Sequence, residues 1–115
     1  MVIAEKDQKR SETEGLKGGK GTAHFRELLT KAQLGAHGRL FSVITLAPGD
    51  SIGEHRHEGE SETYVILEGT GLYGDNGTEV LLGKGDCAFC ADGETHFIRN
   101  VGDTLLSFIA LILYS

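Results

Sequence analysis

Proline occurs once in these 115 residues, tryptophan not at all, and cysteine only twice. Two cysteines cannot build the disulfide framework of a small secreted scaffold, and the lone Cys87-x-x-Cys90 lacks the second pair of a zinc ribbon. Positions three apart on an extended strand face opposite sides, so both are read as reduced, structural thiols. No apolar run approaches the roughly 20 residues that cross a bilayer as a helix. Basic runs are also missing, and with a formal charge of −6 neither nucleic acid nor a membrane is an expected partner. The opening stretch MVIAEKDQKRSETEG has no apolar segment of the kind that directs export, which makes a cytoplasmic location the expectation.

Glycine, by contrast, occurs 17 times and punctuates many short apolar runs, the pattern of an all-β domain rich in turns. The length suits a single core. The expected organisation is a polar, Gly/Lys-rich arm over residues 1–21 and one β-barrel domain over 22–115. Within the arm, Gly15 to Gly21 (GLKGGKG) misses the spacing of a phosphate-binding loop and is read as a flexible connector or bulged edge strand. Thr22 to Leu29 is a strand or a helical turn, with His24 at the surface, and Lys31 to His37 a loop or short helix. Clear strands follow at Leu40–Leu46, Glu62–Leu67, Thr78–Leu82, Cys87–Cys90 and His96–Asn100, with an Asn76-Gly77 hairpin turn between Tyr73 and Thr78. The final segment, Thr104 to Leu113, is apolar on both faces. One face is expected to meet the core and the other a second copy of the chain, which predicts a homodimer. Eight or so strands without a clear helix fit a sandwich or a closed barrel.

The chemistry concentrates in GDSIGEHRHEGESETYVILEG, Gly49 to Gly69. On a strand, His55 and His57 share a face with Cα atoms roughly 6.5–7 Å apart, close enough for both imidazoles to reach one ion at about 2.0–2.2 Å. Glu62 has the wrong parity to join them unless the chain turns, and Glu58-Gly59-Glu60-Ser61 supplies the turn. A hairpin is therefore expected, with two histidines on one strand and a glutamate opening the next. Glu54 and Arg56 alternate with the histidines and should face outward.

Gly49, His55, His57, Glu62 and Gly69 fit G-x5-H-x-H-x3,4-E-x6-G, and Gly85, Gly93, His96 and Asn100 fit most of G-x5-P-x-G-x2-H-x3-N. The pair resembles the two signature motifs of the cupin superfamily, with the fifteen residues Thr70 to Lys84 between them, near the family's shortest spacing. Ala91 stands where the second motif has proline. The resemblance covers residues 40–113 well and the first third of the chain loosely. It implies a double-stranded β-helix, or jelly-roll barrel, holding one divalent transition metal ion (Mn, Fe, Ni, Co, Cu or Zn) on His55, His57, Glu62 and His96. Three imidazoles and one carboxylate suit that range of ions and leave positions for water, dioxygen or a bidentate ligand. Alternation places Tyr64, Ile66 and Ile98 on the cavity side, with Phe41, Cys90 and Phe108 as further lining candidates. Tyr64 is the one candidate for a proton donor.

Fold does not determine activity. The resemblance implies a metal-dependent enzyme acting on a small polar metabolite as an isomerase, decarboxylase or dioxygenase. The alternative is a non-catalytic cupin that binds a sugar or metabolite, and a third reading has the metal only stabilising the barrel.

Overall fold

Because strand-forming runs alternate with glycine turns, 49 of the 69 backbone hydrogen bonds lie within regular elements, chiefly antiparallel ladders, and the other 20 close turns and loops. The computed structural model describes residues 1–115. Ten strands form: β1 (Arg10–Glu14), β2 (Thr22–Leu29), β3 (Gly38–Leu46), β4 (Ser51–Arg56), β5 (Glu60–Glu68), β6 (Gly71–Asp75), β7 (Thr78–Leu82), β8 (Cys87–Cys90), β9 (Thr95–Asn100) and β10 (Leu106–Tyr114). One sheet has the order β1-β2-β3-β10-β5-β8, the other β4-β9-β6-β7. The one α-helical turn, α1 (Lys31–Leu34), starts on a capping box between Thr30 and Gln33. No helix is long and apolar enough to cross a membrane.

The two sheets face each other across a core that includes Ile44, Leu46, Ile52, Ile66, Ile98, Leu106 and Phe108. This is the double-stranded β-helix that the paired motifs imply. β10 lies between β3 and β5. Its Leu106, Phe108, Ala110 and Ile112 are buried, while Ile109 and Leu111 on the other face are half-buried.

Several expectations change. β4 and β5 do not form a hairpin, because they belong to different sheets and the Glu58–Gly59 turn carries the chain across the corner between them. The polar start is not a loose arm: β1 pairs with β2 from Arg10↔Arg26 to Glu14↔Thr22. Nor is the glycine-rich stretch a free connector. Leu16–Gly18 makes a 3-10 turn packed on β4, and the Ser51 N–H donates to the Lys20 carbonyl at 2.9 Å. The Asn76-Gly77 turn forms as read, with φ of 51° and 91°, and closes β6 on β7 at Asp75↔Thr78.

Candidate metal centre

Three strands from both sheets bring the four motif residues to one point. In the ladder between β4 and β9, His55 lies directly opposite His96. The register shifts between Ile52 and His55, a bulge that re-aims the end of β4. His57 sits one residue past β4, where its N–H donates to the Glu94 carbonyl at 3.1 Å and its carbonyl accepts from Gly93 at 2.7 Å. Glu62 enters from β5, opposite Cys90 on β8 and Ile112 on β10. His57, Glu62 and His96 are buried at 3, 4 and 1 % exposure, too enclosed for these polar groups to be paired with water. Their ligand atoms and that of His55 all lie within 4.8 Å of one another.

The separations discriminate between coordination geometries. The three Nε2 atoms are 3.1 Å (His55–His57), 3.0 Å (His57–His96) and 3.1 Å (His55–His96) apart. Glu62 Oε1 lies 3.0 Å from His57, 3.1 Å from His96 and 3.9 Å from His55. Ligand atoms about 2.1 Å from a shared ion are about 3.0 Å apart when adjacent on an octahedron and about 3.4 Å apart on a tetrahedron. The cluster would suit an ion that takes octahedral neighbours, and His55 and Glu62 are its most widely separated pair at 3.9 Å.

The outer ring nitrogens explain why the inner ones converge. His55 Nδ1 donates to the Gly53 carbonyl at 2.7 Å and His57 Nδ1 to Glu60 Oε2 at 2.6 Å. A carbonyl and a carboxylate can only accept, so in the neutral rings the proton is on Nδ1 and Nε2 is bare. Two bare Nε2 lone pairs 3.1 Å apart repel unless a cation lies between them. The donor set therefore fits a divalent ion. His96 Nδ1 pairs with the Tyr73 hydroxyl at 2.8 Å, and Arg39 Nε and Nη2 hold Glu60 at 2.7 and 2.8 Å. Replacing Tyr73 with phenylalanine removes the partner that fixes the His96 ring. Y73F is expected to weaken metal affinity about 10–100-fold, read by competition with a fluorescent chelator.

Charge follows the same geometry. Although burial opposes it, the three imidazoles whose Nε2 atoms face Glu62, able to donate to it when protonated there, hold its carboxyl well below the usual carboxylate range. The Arg39 guanidinium lowers Glu60, and the hydrogen bond to Glu62 raises His57, while burial lowers His96. Without metal, His57 supports the fold fully below its ordinary value of 6.5, and that support is lost as pH rises through the raised one. His96 has the opposite sign: its support is present above 6.5 and is lost as pH falls. Glu60 and Glu62 contribute above 4.5 and lose their contribution on acidification. A metal needs all three rings neutral, so the His57 proton is its direct competitor. The rise in Tm on adding Mn(II) or Zn(II) should therefore grow from pH 5.5 to 7.5 (about two decades of proton activity), measured by scanning calorimetry.

A cavity of about 130 Å³ opens onto His55, His57 and Glu62; its other walls are Leu16, Lys17, Phe25, Arg39, Leu40, Ile44, Ile52, Tyr64 and Ile112. Of the residues expected to line it, Tyr64 does so. Ile66, Ile98 and Phe108 pack in the core instead. Phe41 points to the outer side of its strand, since its neighbours Leu40 and Ser42 have the inward parity. Cys90 is buried beside Glu62, its cross-strand neighbour, outside the residues that line the cavity, and burial pushes its thiol up to about 11, as suits a reduced structural cysteine. Glu54 and Arg56 are exposed, as alternation requires.

Sequence reasoning did not find Glu60, Tyr73, Arg39 or Lys17 at the site. Glu60 carried a signal, lying three residues from His57 across a turn. Tyr73 depends on the β6–β9 pairing, Asp75↔His96, which no local pattern encodes.

Two antiparallel sheets enclosing three imidazoles and a carboxylate define a small barrel with an interior site able to hold a metal. The cupin domain pattern matches residues 42–112, and the chain belongs to the cupin family. An oxalate-binding protein of Thermotoga maritima is 41% identical over 113 residues, covering 98% of this chain and 93% of that protein. The crystal structure of a predicted oxalate decarboxylase from Thermotoga maritima has 40% identity and a TM-score of 0.95, with 100% of both chains covered. A sugar phosphate isomerase of the cupin superfamily from Silicibacter pomeroyi has 18% identity and a TM-score of 0.80, covering 100% of this chain and 76% of that one. This last likeness is one of fold alone.

Proposed function

We propose that this protein binds a small chelating carboxylate, oxalate or a close analogue, on a divalent transition metal held by His55, His57, Glu62 and His96. When bound, the ion supplies a Lewis-acid centre with positions open to two carboxylate oxygens. The observation that carries the reading is the cavity beside the cluster. At about 130 Å³ it is slightly smaller than the roughly 150 Å³ that accepts a benzene ring, so it admits about six heavy atoms. Oxalate, with six heavy atoms, fits within it whole, whereas a sugar phosphate would extend beyond it. The walls beyond the ligands are mainly apolar, with Lys17 and Arg39 as the cations, which favours an anion over a neutral sugar. The resemblance to an oxalate-binding protein over nearly the whole chain supports the same class.

The test is calorimetric titration of Mn(II)-loaded, desalted protein with oxalate. Saturable binding of one oxalate per chain is expected, with none to chelator-treated protein. Binding that is indifferent to metal would reject the reading.

Decarboxylation is the second reading, and Tyr64 favours it. Its phenol lies in the cavity wall, and burial raises its pKa so that it stays protonated and able to donate. When the C–C bond of hydrogen oxalate breaks, carbon dioxide leaves, the electron pair stays on the other carbon and takes a proton there, and the carboxyl proton of the hydrogen oxalate returns to the donor, giving carbon dioxide and formate with no net change in protons. If Tyr64 supplies that proton, Y64F should keep oxalate affinity within about threefold and lose at least about 100-fold in formate release. Metal-loaded protein that binds oxalate but releases no formate would leave simple binding as the activity.

A further inference from the structure

The Gly15–Gly21 segment is a fixed strap beside the metal cavity. Its ends are tied by the Gly15 N–H donating to the Gly21 carbonyl at 2.9 Å, and the Lys20 N–H donates to Ser51 Oγ at 2.9 Å on β4. Close approach is possible because both partners lack a Cβ: one built on Gly53 would overlap the Lys17 carbonyl oxygen, and one on Gly19 the Ser51 carbonyl oxygen.

Within this strap Lys17 is anomalous. Its φ is +56° and its ψ 29°, the left-handed conformation that glycine adopts freely and a lysine adopts only against steric cost. The chain has glycine with positive φ at ten other places, including Gly15, Gly18 and Gly21 in the same strap. Only Lys17 and the turn residue Asn76 hold a positive φ with a side chain. Strain retained where glycine would relieve it points to a use for the side chain. Lys17 is solvent-exposed at the edge of the cavity that His55, His57 and Glu62 also line, within reach of an anion there, and it enters none of the chain's ion pairs.

The charges around the cavity do not balance. Arg39 and Glu60 cancel in a bidentate pair, and Glu62 offsets one of the two charges of a divalent ion. Lys17 adds one positive charge, so the loaded site carries a net charge of about +2. A dianion neutralises it, whereas a monoanion leaves one charge uncompensated.

We propose that Lys17 is the specificity-determining residue of this site: held by the strap at the cavity, its ammonium selects a doubly charged chelating carboxylate over a singly charged one. The inference rests on the metal–carboxylate reading above and adds the residue that reads the ligand's second charge.

The experiment compares oxalate with glycolate, a monoanion that forms a chelate ring of the same size, on Mn(II)-loaded protein by calorimetric titration. Metal content is checked after each run. Wild type should prefer oxalate. K17M should lose about 10–50-fold in oxalate affinity and at most about threefold for glycolate, while K17R keeps the preference. K17G should match K17M in affinity with an unchanged or higher Tm, which separates the charge from the strap's fold. Equal oxalate affinity in wild type, K17M and K17G would overturn the inference alone. Wild-type protein that keeps its metal yet binds neither anion would overturn the carboxylate reading and the inference with it.

Discussion

The H57A protein, purified without chelators beside the wild type and analysed by plasma mass spectrometry, should carry less than about one tenth of the wild-type metal. His57 is adjacent to all three other ligand atoms, at 3.0–3.1 Å, so its removal takes out a shared corner of the coordination sphere. Loss of a partner outside the ligand shell costs about 10–100-fold in affinity, so loss of a ligand should cost more than about 100-fold. Oxalate binding should disappear with the metal. A second consequence appears without any ion. Glu62 is 4 % exposed and accepts from the Nε2 of protonated His57, so below the raised His57 pKa H57A leaves a buried carboxylate with one donor fewer. That should cost about 1–3 kcal/mol in chelator-treated protein. An H57A protein that retains wild-type metal would show that these four residues are a hydrogen-bonded core cluster and not a coordination site.

Much of this site was legible because its ligands are arranged by strand parity and by a short turn. His55 and His57 share a face for the reason any residues two apart do, and Glu58-Gly59-Glu60-Ser61 had to reverse the parity for Glu62 to join them. What could not be read was where the strands go afterwards. The same turn serves a hairpin or a corner between sheets, and only the pairing of β4 with β9 and of β5 with β10 separates the two. Tyr73 and Arg39 reach the site through those long-range pairings, so no window of sequence contains them together with the histidines. The first 21 residues differ from expectation for another reason. Charged residues at β1 and glycines at 15–21 look disordered by composition, yet β1 is an edge strand with every residue exposed, and polar side chains are what such an edge requires. The glycines of the strap are there for close backbone contact, which has the same composition as flexibility.

That contact supplies the other large effect. In G53A a methyl group is placed where the Lys17 carbonyl oxygen and the Gly19 nitrogen already lie. These are backbone atoms, so no rotamer change relieves the overlap, and either the strap lifts or β4 bends. Overpacking of this kind costs about 2–3 kcal/mol, which for a chain of this length lowers Tm by roughly 10 °C. G83A is the matched control, since a Cβ at Gly83 meets nothing within 4 Å; it should change Tm by less than about 2 °C. The two modes of relief differ in their functional signature. A lifted strap removes the wall that holds Leu16 and Lys17, so oxalate affinity falls while metal stays bound. A bent β4 moves the Gly53 carbonyl that orients His55 through its 2.7 Å hydrogen bond, and metal affinity falls as well. The double variant G53A/K17G distinguishes charge from backbone: because the overlap is with the carbonyl at position 17 and not its side chain, removing the lysine side chain should leave the loss of Tm in place. A G53A/K17G protein with the Tm of K17G alone, or a Tm for G53A equal to that of G83A, would mean that the strap does not seat against β4 and that the cavity lacks this wall in solution.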